Sequence, residues 1–403
     1  MKYIFCSMMF DDVELDIKKS IEPNAISGHK FQENILRGLV QNDVDVYVLN
    51  TPRVRHYPDY PEKRLLSRDF NYEGRSIGKS IGFNNRFLVA YFSQLRNLRR
   101  ELKKVVEKNK NEQIVLLTFN SYLIQSINML WIRKNRKNVI LCDIIGDLHG
   151  KYGLLRDNAS IKERLVDIYG QIEDRLARKF NLFVFLSKYM AEAIPCKGNQ
   201  YTVVEGIYNS NIGTISYEES PEEPYRVLLY AGSLDLEYDI EHLLNAFTIT
   251  DNDGFRLYIA GNGNGITIVK NAEKIDSRIK YLGMLSPDTL LKYQLEATAL
   301  VSPRKNNHRY VKYSFPSKTM ECLALGKPYI AHKLDSEPKE YANYIQYAEE
   351  TDEGLAAKIQ EVLMMSAEER NKIGDRSRDF MLNEKNAKKM CKKIIKLCEE
   401  YNK

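Results

Sequence analysis

The stretch Tyr313–Ala331, YSFPSKTMECLALGKPYIA, carries more information about the fold than any other part of the sequence. Pro316 suits the first turn of a helix, where its missing N–H is no loss, and Gly326 with Pro328 marks the end of that helix. The apolar residues that follow have the length of a buried strand. The stretch therefore predicts a helix whose N-terminus lies at Ser314–Thr319, followed by a strand.

The N-terminus of this helix is a candidate anion site. Free backbone N–H groups and the positive end of the helix dipole attract anions there, and Lys318 adds a full charge in the first turn. Glu321 is three residues further on, so both side chains can point to one side. The Lys318 amine could bind a phosphate and the Glu321 carboxylate a sugar diol, which together would suit a nucleotide. An ordinary capped helix with a solvated Lys and Glu is the alternative interpretation.

Short apolar runs alternate with amphipathic stretches on both sides of this helix, which predicts parallel sheets covered by helices. The runs of the first half are Tyr3–Met8, Val44–Leu49, Gln113–Phe119, Asn138–Cys142 and Leu182–Leu186. Those of the second half are Arg226–Ala231, Phe255–Ala260, Ile279–Leu282, Ala297–Ser302 and Pro328–Ala331. Two doubly wound α/β domains are therefore predicted.

The length of 403 residues agrees with two domains, and a hydrophobic share of 43% is sufficient for buried cores. No apolar run approaches the roughly 20 residues of a membrane-spanning helix. We expect a first domain at 1–205, a linker at 206–224, a second domain at 225–382 and an amphipathic helix at 383–403. That last helix either closes the second domain or crosses back to the first.

Cysteine and charge restrict the setting and the partners. The six cysteines are scattered without a CxxC pair, which favours a reducing, cytoplasmic environment over a disulfide framework or a zinc cage. Residues 1–200 contain 33 Lys and Arg against 23 Asp and Glu, although the whole chain has a net charge of +6. An anionic membrane surface is one possible partner of this basic half. Nucleic acid is not expected, because no recognition motif accompanies the charge.

The second half of the sequence resembles family 4 glycosyltransferases of the GT-B fold, a group that includes many bacterial surface-polysaccharide transferases. The matching blocks are LLYAGSL at 228–234, LYIAGNGNG at 257–265, IKYLGMLSPDTLLKYQLEATALVSPR at 279–304 and FPSKTMECLALGKPYIA at 315–331. The resemblance implies two Rossmann-like domains that face each other across a cleft.

The resemblance also implies a donor site in the second domain. Family members carry two glutamates on the helix, of which the second corresponds to Glu321, whereas the first is replaced by Tyr313. The family's arginine and lysine after the Gly232 position are absent, so Lys318 and Arg304 are the candidate cations for the diphosphate. The candidate donor-binding residues are Gly28, Gly232, Ser233, Gly261, Leu282, Arg304, Tyr313, Ser314, Phe315, Lys318 and Glu321. The glycines at 261, 263 and 265 do not have the GxGxxG spacing of a dinucleotide site.

The first domain matches the family less well. Gly28, with Ser27 and His29 on the acceptor side, precedes a predicted helix at Lys30–Gln41 and occupies the place of the family's glycine-rich loop. Asp147 and His149 follow the fourth strand, where the family commonly has a histidine that faces the donor sugar. They are the candidate catalytic residues.

The function implied is retaining transfer of a hexose or N-acetylhexosamine from a nucleotide sugar, with UDP as the expected nucleotide, to a lipid-linked or other glycan acceptor. No metal is expected, because the spacing of the histidines does not suit a zinc site. A non-catalytic partner protein and a UDP-sugar epimerase are the alternatives. The helix predicted at Arg86–Lys110 has an apolar side and a basic side, which indicates either a core helix or a helix on the inner face of the cytoplasmic membrane.

Overall fold

The computed structural model describes residues 1–10, 24–146, 148, 161–208, 225–308 and 311–402. The chain divides into two compact units. The first comprises residues 1–207 and 387–403, and the second comprises residues 208–386. Each unit is an α/β domain built on a sheet whose central strands are parallel, so the predicted fold class is confirmed.

The described strands of the first unit form a sheet in the order β10-β9-β8-β7-β1-β2-β5-β4. Its strands, together with the separate antiparallel pair β3 and β6, are β1 (Lys2–Ser7), β2 (Val46–Asn50), β3 (Arg64–Leu65), β4 (Arg68–Tyr72), β5 (Arg75–Ser80), β6 (Phe83–Asn84), β7 (Ile114–Phe119), β8 (Val139–Ile145), β9 (Leu182–Phe185) and β10 (Tyr201–Val203). Strands β7 and β8 are buried at every residue, as expected for the centre of a sheet covered on both faces.

The stretch Thr51–Asn85 contains four of these strands. Strand β5 pairs in parallel with β2, and β4 returns antiparallel to β5 as a hairpin at the sheet edge. Its turn is Glu73–Gly74, where both residues have positive φ values of 49° and 76°. A two-residue turn of this kind matches the right-handed twist of paired strands. The Glu-Gly pair was therefore an unused signal for a hairpin.

The helices described in the first unit are α1 (Asn24–Gln41), α2 (Val89–Lys108), α3 (Leu123–Asn135), α4 (Ile161–Ala177), α5 (Met190–Ala193) and α12 (Ala387–Tyr401). Helix α1 begins earlier than the predicted Lys30, so Gly28 lies inside a helix rather than in a loop. Helix α2 buries Leu98, Leu102 and Val106 in the unit. Its apolar side beyond the first turns therefore belongs to the core and is not available to lipid.

The last helix, α12, belongs to the first unit. It begins at Ala387, because residues 383–384 still belong to the preceding helix. It packs against α1 so closely that a Cβ at Gly38 would lie 2.3 Å from the Ala387 carbonyl oxygen. Its Met390, Ile394 and Leu397 join the core of the first unit. Burial of this apolar stripe is what holds the helix in place.

The described strands of the second unit form a parallel sheet in the order β13-β12-β11-β14-β15-β16. They are β11 (Arg226–Ser233), β12 (Phe255–Asn262), β13 (Ile279–Gly283), β14 (Ala299–Ser302), β15 (Tyr329–Ala331) and β16 (Gln346–Tyr347). The helices are α6 (Ile240–Ile249), α7 (Ile266–Ile275), α8 (Pro287–Glu296), α9 (Ser317–Ala324), α10 (Asp352–Met364) and α11 (Ala367–Glu384). Throughout the described residues, the helices are too short or too polar to cross a bilayer.

Candidate donor-binding site

The carboxyl edge of the second unit's sheet brings Lys318 to the end of strand β11. A Cβ built on Gly232 would lie 2.1 Å from the Lys318 Nζ, so the amine occupies the space that a side chain at Gly232 would take. The same amine lies 5.9 Å from the centre of the Tyr230 ring. Ligands of open α/β sheets bind at this edge, where strands end and helices begin. The Lys318 amine therefore lies at this edge of the sheet.

The environment of Lys318 weakens its hold on a proton. Burial of the amine lowers the pKa of Lys318, and the nearby Glu321 carboxylate partly opposes this effect. The residue as a whole is nevertheless exposed to solvent, although its amine lies against Gly232 and Tyr230. A desolvated cation gains more from an incoming anion than a fully hydrated one does, since less water must be displaced. Glu321 is exposed one turn further along α9.

Arg304 approaches the same strand from the end of β14. Its guanidinium carbon lies 5.4 Å from the centre of the Tyr238 ring. Its charge also acts on Tyr230, whose pKa is raised mainly by burial and is lowered in part by Arg304. The charge of Arg304 therefore acts on the same tyrosine that the Lys318 amine contacts.

Tyr230 itself was not identified from the sequence. It lies on β11 two residues before Gly232, and its hydroxyl donates a hydrogen bond of 2.5 Å to the Ser233 carbonyl oxygen. This bond holds the backbone at the strand end, where Gly232 meets Lys318. A tyrosine in the apolar run LLYAGS was the available signal, because a buried phenol requires a hydrogen-bond partner.

The loops after β11 and β12 are tied together beside this site. Asp235 accepts a 3.0 Å hydrogen bond from the Asn264 N–H and a 2.7 Å bond from the Ser233 hydroxyl. These two bonds lower the pKa of Asp235. In return, the Asn264 side chain accepts a 2.8 Å bond from the Leu236 N–H. The hydroxyl of Ser233, a candidate donor-binding residue, is thus engaged with Asp235.

The glycines at 261 and 263 make this loop contact possible. A Cβ at Gly261 would lie 1.7 Å from the Gly232 carbonyl oxygen, and a Cβ at Gly263 would lie 2.4 Å from the Asp235 nitrogen. Both glycines also have positive φ, at 145° and 159°. Only glycine fits such a position. The glycine-rich segment therefore serves loop packing, which agrees with its departure from the dinucleotide spacing.

The remaining candidate residues of the second unit lie around the same edge. Leu282 lies at an irregularity of β13 and packs into the core. The neighbouring Tyr281 donates its hydroxyl hydrogen to the Gly261 carbonyl oxygen at 2.9 Å. Phe315 packs against the Tyr341 ring with 5.3 Å between centres. Since the Phe315 side chain is buried in the core, any contact of this residue with a ligand would involve its main chain.

Tyr313 and Ser314 lie in the segment that leads into α9. Tyr313 ends a short 3-10 turn, and the Lys312 amine is 4.9 Å from the centre of its ring. Ser314 donates its N–H to the Val311 carbonyl oxygen at 3.3 Å. Pro316 is the residue immediately before the helix rather than a member of its first turn. The side chains of Tyr313 and Ser314 are partly exposed beside the N-terminus of α9.

A buried pair of histidines lies behind the same edge. His332 Nδ1 is 3.0 Å from the Ala348 carbonyl oxygen, which accepts only, so this nitrogen must carry hydrogen. Burial lowers the pKa of His332, so the ring is neutral and its Nε2 accepts from His242 Nε2 at 3.0 Å. His242 Nδ1 contacts the Asp352 carboxylate. This chain of bonds joins α6, the end of β15 and the start of α10.

In the first unit, the acceptor-side candidates lie near the start of α1. His29 is buried, its Nδ1 accepts a 3.1 Å hydrogen bond from the Phe10 N–H, and burial lowers its pKa. Gly28 faces the Phe119 ring, to which a Cβ would approach within 3.3 Å. Ser27 is exposed. His29 therefore holds the segment after β1, whereas Ser27 is accessible to solvent.

The candidate catalytic residues Asp147 and His149 lie outside the described residues. The strand before them contains Asp143, which is fully buried and which sequence reasoning did not identify. Burial raises the pKa of Asp143 to about 7, against two hydrogen bonds from Ser121. Glu173 of α4 has a pKa of about 7 for the same reason, and it accepts a 2.9 Å bond from the Leu123 N–H. An aspartate inside the apolar run VILCDII was the available signal.

Comparison with protein families locates a known domain in the second half of the chain. Residues 213–380 match the model described as glycosyl transferases group 1. No curated protein matches the sequence.

Solved structures extend the likeness to the whole chain. Sucrose-phosphate synthase from Thermosynechococcus elongatus is similar with a TM-score of 0.59, 14% identity and 99% coverage of each chain. A glycosyltransferase from Rickettsia africae has a TM-score of 0.61 and 13% identity, with 100% of this chain and 99% of that chain covered. S. aureus TarM, in complex with fondaparinux, alpha-GlcNAc-glycerol and UDP, has a TM-score of 0.57, 12% identity and 100% coverage of both chains. The fold is GT-B, and together with the domain match it supports a glycosyltransferase.

Proposed function

We propose, starting from a group 1 glycosyltransferase domain at residues 213–380, that this protein transfers a hexose or N-acetylhexosamine from a UDP-sugar to a glycan acceptor with retention of configuration. The observation that carries the proposal is the approach of two cations to the end of one strand. Lys318 Nζ fills the space beside Gly232, and the charge of Arg304 acts on the adjacent Tyr230. Two positive charges at a strand end are suited to a diphosphate.

In the proposed reaction, the bond between the sugar and the diphosphate breaks while negative charge grows on the departing diphosphate. Lys318, Arg304 and the N–H groups at the start of α9 stabilise this charge. Removing one well-placed group of this kind typically costs about 3 to 4 kcal/mol of transition-state stabilisation. The acceptor oxygen attacks from the face that the diphosphate leaves, and its proton passes to a diphosphate oxygen. The new bond therefore keeps the original configuration.

Glu321 has a separate role in the proposal. Its exposed carboxylate, on the helix that carries Lys318, accepts hydrogen bonds from the ribose hydroxyls. Tyr313 stands where related sequences have a further glutamate, and its phenol offers the donor sugar a neutral hydroxyl instead. No metal ion is required in this scheme, because the two side-chain cations supply the positive charge.

The acceptor in the proposal is a lipid-linked saccharide of a bacterial surface polysaccharide, presented at the cytoplasmic face of a membrane. Two similar structures support a saccharide acceptor in general terms: S. aureus TarM was determined with fondaparinux and alpha-GlcNAc-glycerol, and Anabaena HepE with UDP and glucose. The basic first half of the chain supports an anionic surface as the place of reaction.

Calorimetry of UDP binding tests the donor site. Lys318→Ala and Glu321→Ala should each weaken UDP binding by at least about tenfold, or about 1.4 kcal/mol, since each removes one direct contact. Lys274→Ala is the matched control, because this exposed lysine is in the last turn of α7, at the opposite edge of the sheet. Unchanged affinity in both variants would remove Lys318 and Glu321 from the site.

A product assay separates transfer from the two alternatives. Incubation with UDP-GlcNAc and an acceptor should release UDP. Without an acceptor, UDP-GlcNAc should be hydrolysed slowly. EDTA should leave the rate of UDP release unchanged. An epimerase would convert UDP-GlcNAc into an isomeric UDP-sugar without acceptor. A non-catalytic partner protein would leave a panel of UDP-sugars intact.

A further inference from the structure

A surface of the first unit, separate from the candidate donor site, exposes large apolar side chains. Most of them cluster around the start of α2, namely Phe87, Leu88, Val89 and Phe92, which are 69%, 66%, 47% and 71% exposed. Leu66, after strand β3, is 75% exposed. Single exposed apolar residues are ordinary, but a contiguous group of them marks an interaction surface. The donor site of the second unit contains none of these residues.

Backbone hydrogen bonds join the two segments that carry these residues. Tyr57 donates its N–H to the Asn85 carbonyl oxygen at 3.0 Å, and Asn85 donates to the Lys63 carbonyl oxygen at 2.9 Å. The rings of His56 and Phe87 are 5.5 Å apart. Residues 55–66 and 84–92 therefore form one continuous surface, which we call the basic-apolar patch.

The conformation of the patch presents its apolar residues to solvent. Val89 donates its N–H to the Phe87 carbonyl oxygen at 2.8 Å, and Leu88 between them has φ 62° and ψ −48°. These are the features of the γ-turn that is rare and strained for residues other than glycine. Because the Leu88 side chain is exposed, no packing of this side chain within the unit offsets the backbone strain. A partner that buries the Leu88 side chain would offset this strain.

The patch also carries more basic than acidic residues. Arg55, Lys63, Arg64 and Arg86 are exposed in the patch, against the acidic residues Asp59 and Glu62. The Lys63 amine lies 5.0 Å from the centre of the Tyr57 ring, at the border between the charged and apolar parts. Proteins bind an anionic bilayer by inserting apolar side chains at the boundary of the acyl chains and by placing cations beside lipid phosphates.

We propose that the basic-apolar patch docks the protein on an anionic lipid bilayer, with Phe87, Leu88 and Phe92 inserted at the interface. The inference rests on the proposed function in one respect, since a lipid-linked acceptor would be met at that surface. It differs from a membrane-bound face of α2, because Leu98, Leu102 and Val106 are buried in the core. The docking element is the turn before α2 and the first turn of α2, together with the adjoining strand segments.

Sedimentation with vesicles of phosphatidylglycerol and phosphatidylcholine tests the proposal on the full chain. Wild type should bind these vesicles and bind pure phosphatidylcholine at least about tenfold more weakly. Lys63→Gln with Arg64→Gln should lower the affinity roughly 30-fold, since each basic residue near the surface contributes about a factor of five. Phe87→Ser with Phe92→Ser should reduce binding to a similar extent.

Matched controls distinguish the patch from general charge and general hydrophobicity. Ile275→Ser with Met284→Ser removes two exposed apolar residues of the second unit, and Lys103→Gln with Lys108→Gln removes two exposed cations further along α2. Both controls should keep wild-type affinity for the vesicles. Equal losses in the patch variants and the controls would overturn the proposal. So would a dimer that the Phe87→Ser, Phe92→Ser variant abolishes in analytical ultracentrifugation, because it would assign the patch to a second copy.

UDP binding, measured on the same samples, separates this inference from the proposed function. Wild-type UDP affinity in the patch variants would also show that they are folded. Binding of UDP without binding of anionic vesicles would overturn the docking inference alone. Absence of UDP binding would overturn the proposed donor site, whatever the vesicles show.

Discussion

At the scale of single residues, the donor-site candidates depend on side chains that are absent as much as on those that are present. Gly232 leaves room for the Lys318 amine, and Gly261 leaves room for the Gly232 carbonyl oxygen. The first vacancy is filled by the flexible end of a side chain, whereas the second is filled by backbone. Adding a methyl group at the two positions should therefore have different consequences.

We predict that Gly232→Ala weakens UDP binding, since the Lys318 amine moves away from the new Cβ and thereby leaves the site. Its loss of stability should be smaller than that of Gly261→Ala, because the Tyr230 hydroxyl, at 2.9 Å from the new Cβ, has to shift only slightly. Gly261→Ala should instead lower the free energy of unfolding by about 2 kcal/mol or more, because its Cβ meets backbone and its φ is 145°. Calorimetry and urea unfolding of both variants check this. A stable Gly261→Ala variant, or a Gly232→Ala variant with wild-type affinity, would contradict the respective expectation.

At the scale of elements, the turn between β7 and α3 is held in an unusual conformation by buried polar groups. Asn120 and Ser121 have positive φ values of 59° and 39°, which residues with side chains rarely adopt. Asp143 accepts hydrogen bonds from the Ser121 N–H and hydroxyl, and the Asn120 side chain accepts from the Gly146 N–H at 2.7 Å. A small pocket adjoins these residues. The carboxyl group therefore maintains the turn in a place where its ionisation is costly.

This arrangement predicts how stability changes with pH. The pKa of Asp143 is raised to about 7, so its contribution to stability is complete below the ordinary carboxyl value and is lost as pH rises through 7. The free energy of unfolding of wild type minus that of Asp143→Asn should decrease between pH 5 and pH 8, by at most about 1.4 kcal/mol per pH unit. Urea unfolding at each pH measures this difference.

A control for that series is Asp235→Asn. Hydrogen bonds lower the pKa of Asp235, so this group is ionised in both the folded and the unfolded chain between pH 5 and pH 8. Its difference from wild type should stay constant over this range. A difference for Asp143→Asn that rises with pH would mean that the buried carboxyl is stabilised as an anion, contrary to the desolvation argument.

At the scale of the whole molecule, the chain leaves the first unit after residue 207 and returns to it at residue 387. Tyr208, at the start of the second unit, donates its N–H to the Lys385 carbonyl oxygen at 2.8 Å, near that unit's end. The returning helix α12 then completes the core of the first unit. The core of the first unit is consequently complete only when helix α12 has packed into it.

This connectivity predicts which unit a core substitution will affect. Ile394 of α12 and Ile359 of α10 are both fully buried, the first in the core of the first unit and the second in that of the second unit. Each change to Ala should cost about 2 to 5 kcal/mol. In hydrogen exchange, Ile394→Ala should lower protection in strands β1 and β7, and Ile359→Ala in strands β11 and β12. The reverse pattern would contradict this division of the cores.

Much of this architecture was predictable from local sequence. The alternation of short apolar runs with amphipathic stretches identified the principal strands of both sheets, because burial on both faces demands continuous apolar residues. The helix at Ser317–Ala324 followed from Pro316 and Gly326, and the amphipathic pattern of α12 was clear. The hairpin of β4 and β5 was missed, since its strands are polar and lie at an edge.

The sequence by itself determined the α/β class, the presence of two domains and the helix that carries Lys318 and Glu321, since hydrophobic period and capping act over a few neighbouring residues. Tertiary structure alone decided that Lys318 fills the space at Gly232, that its amine lies beside the Tyr230 ring, and that α12 packs on α1. The physical reason is that parallel strands bring distant segments to one edge, where sterics and desolvation act between residues that local patterns do not relate.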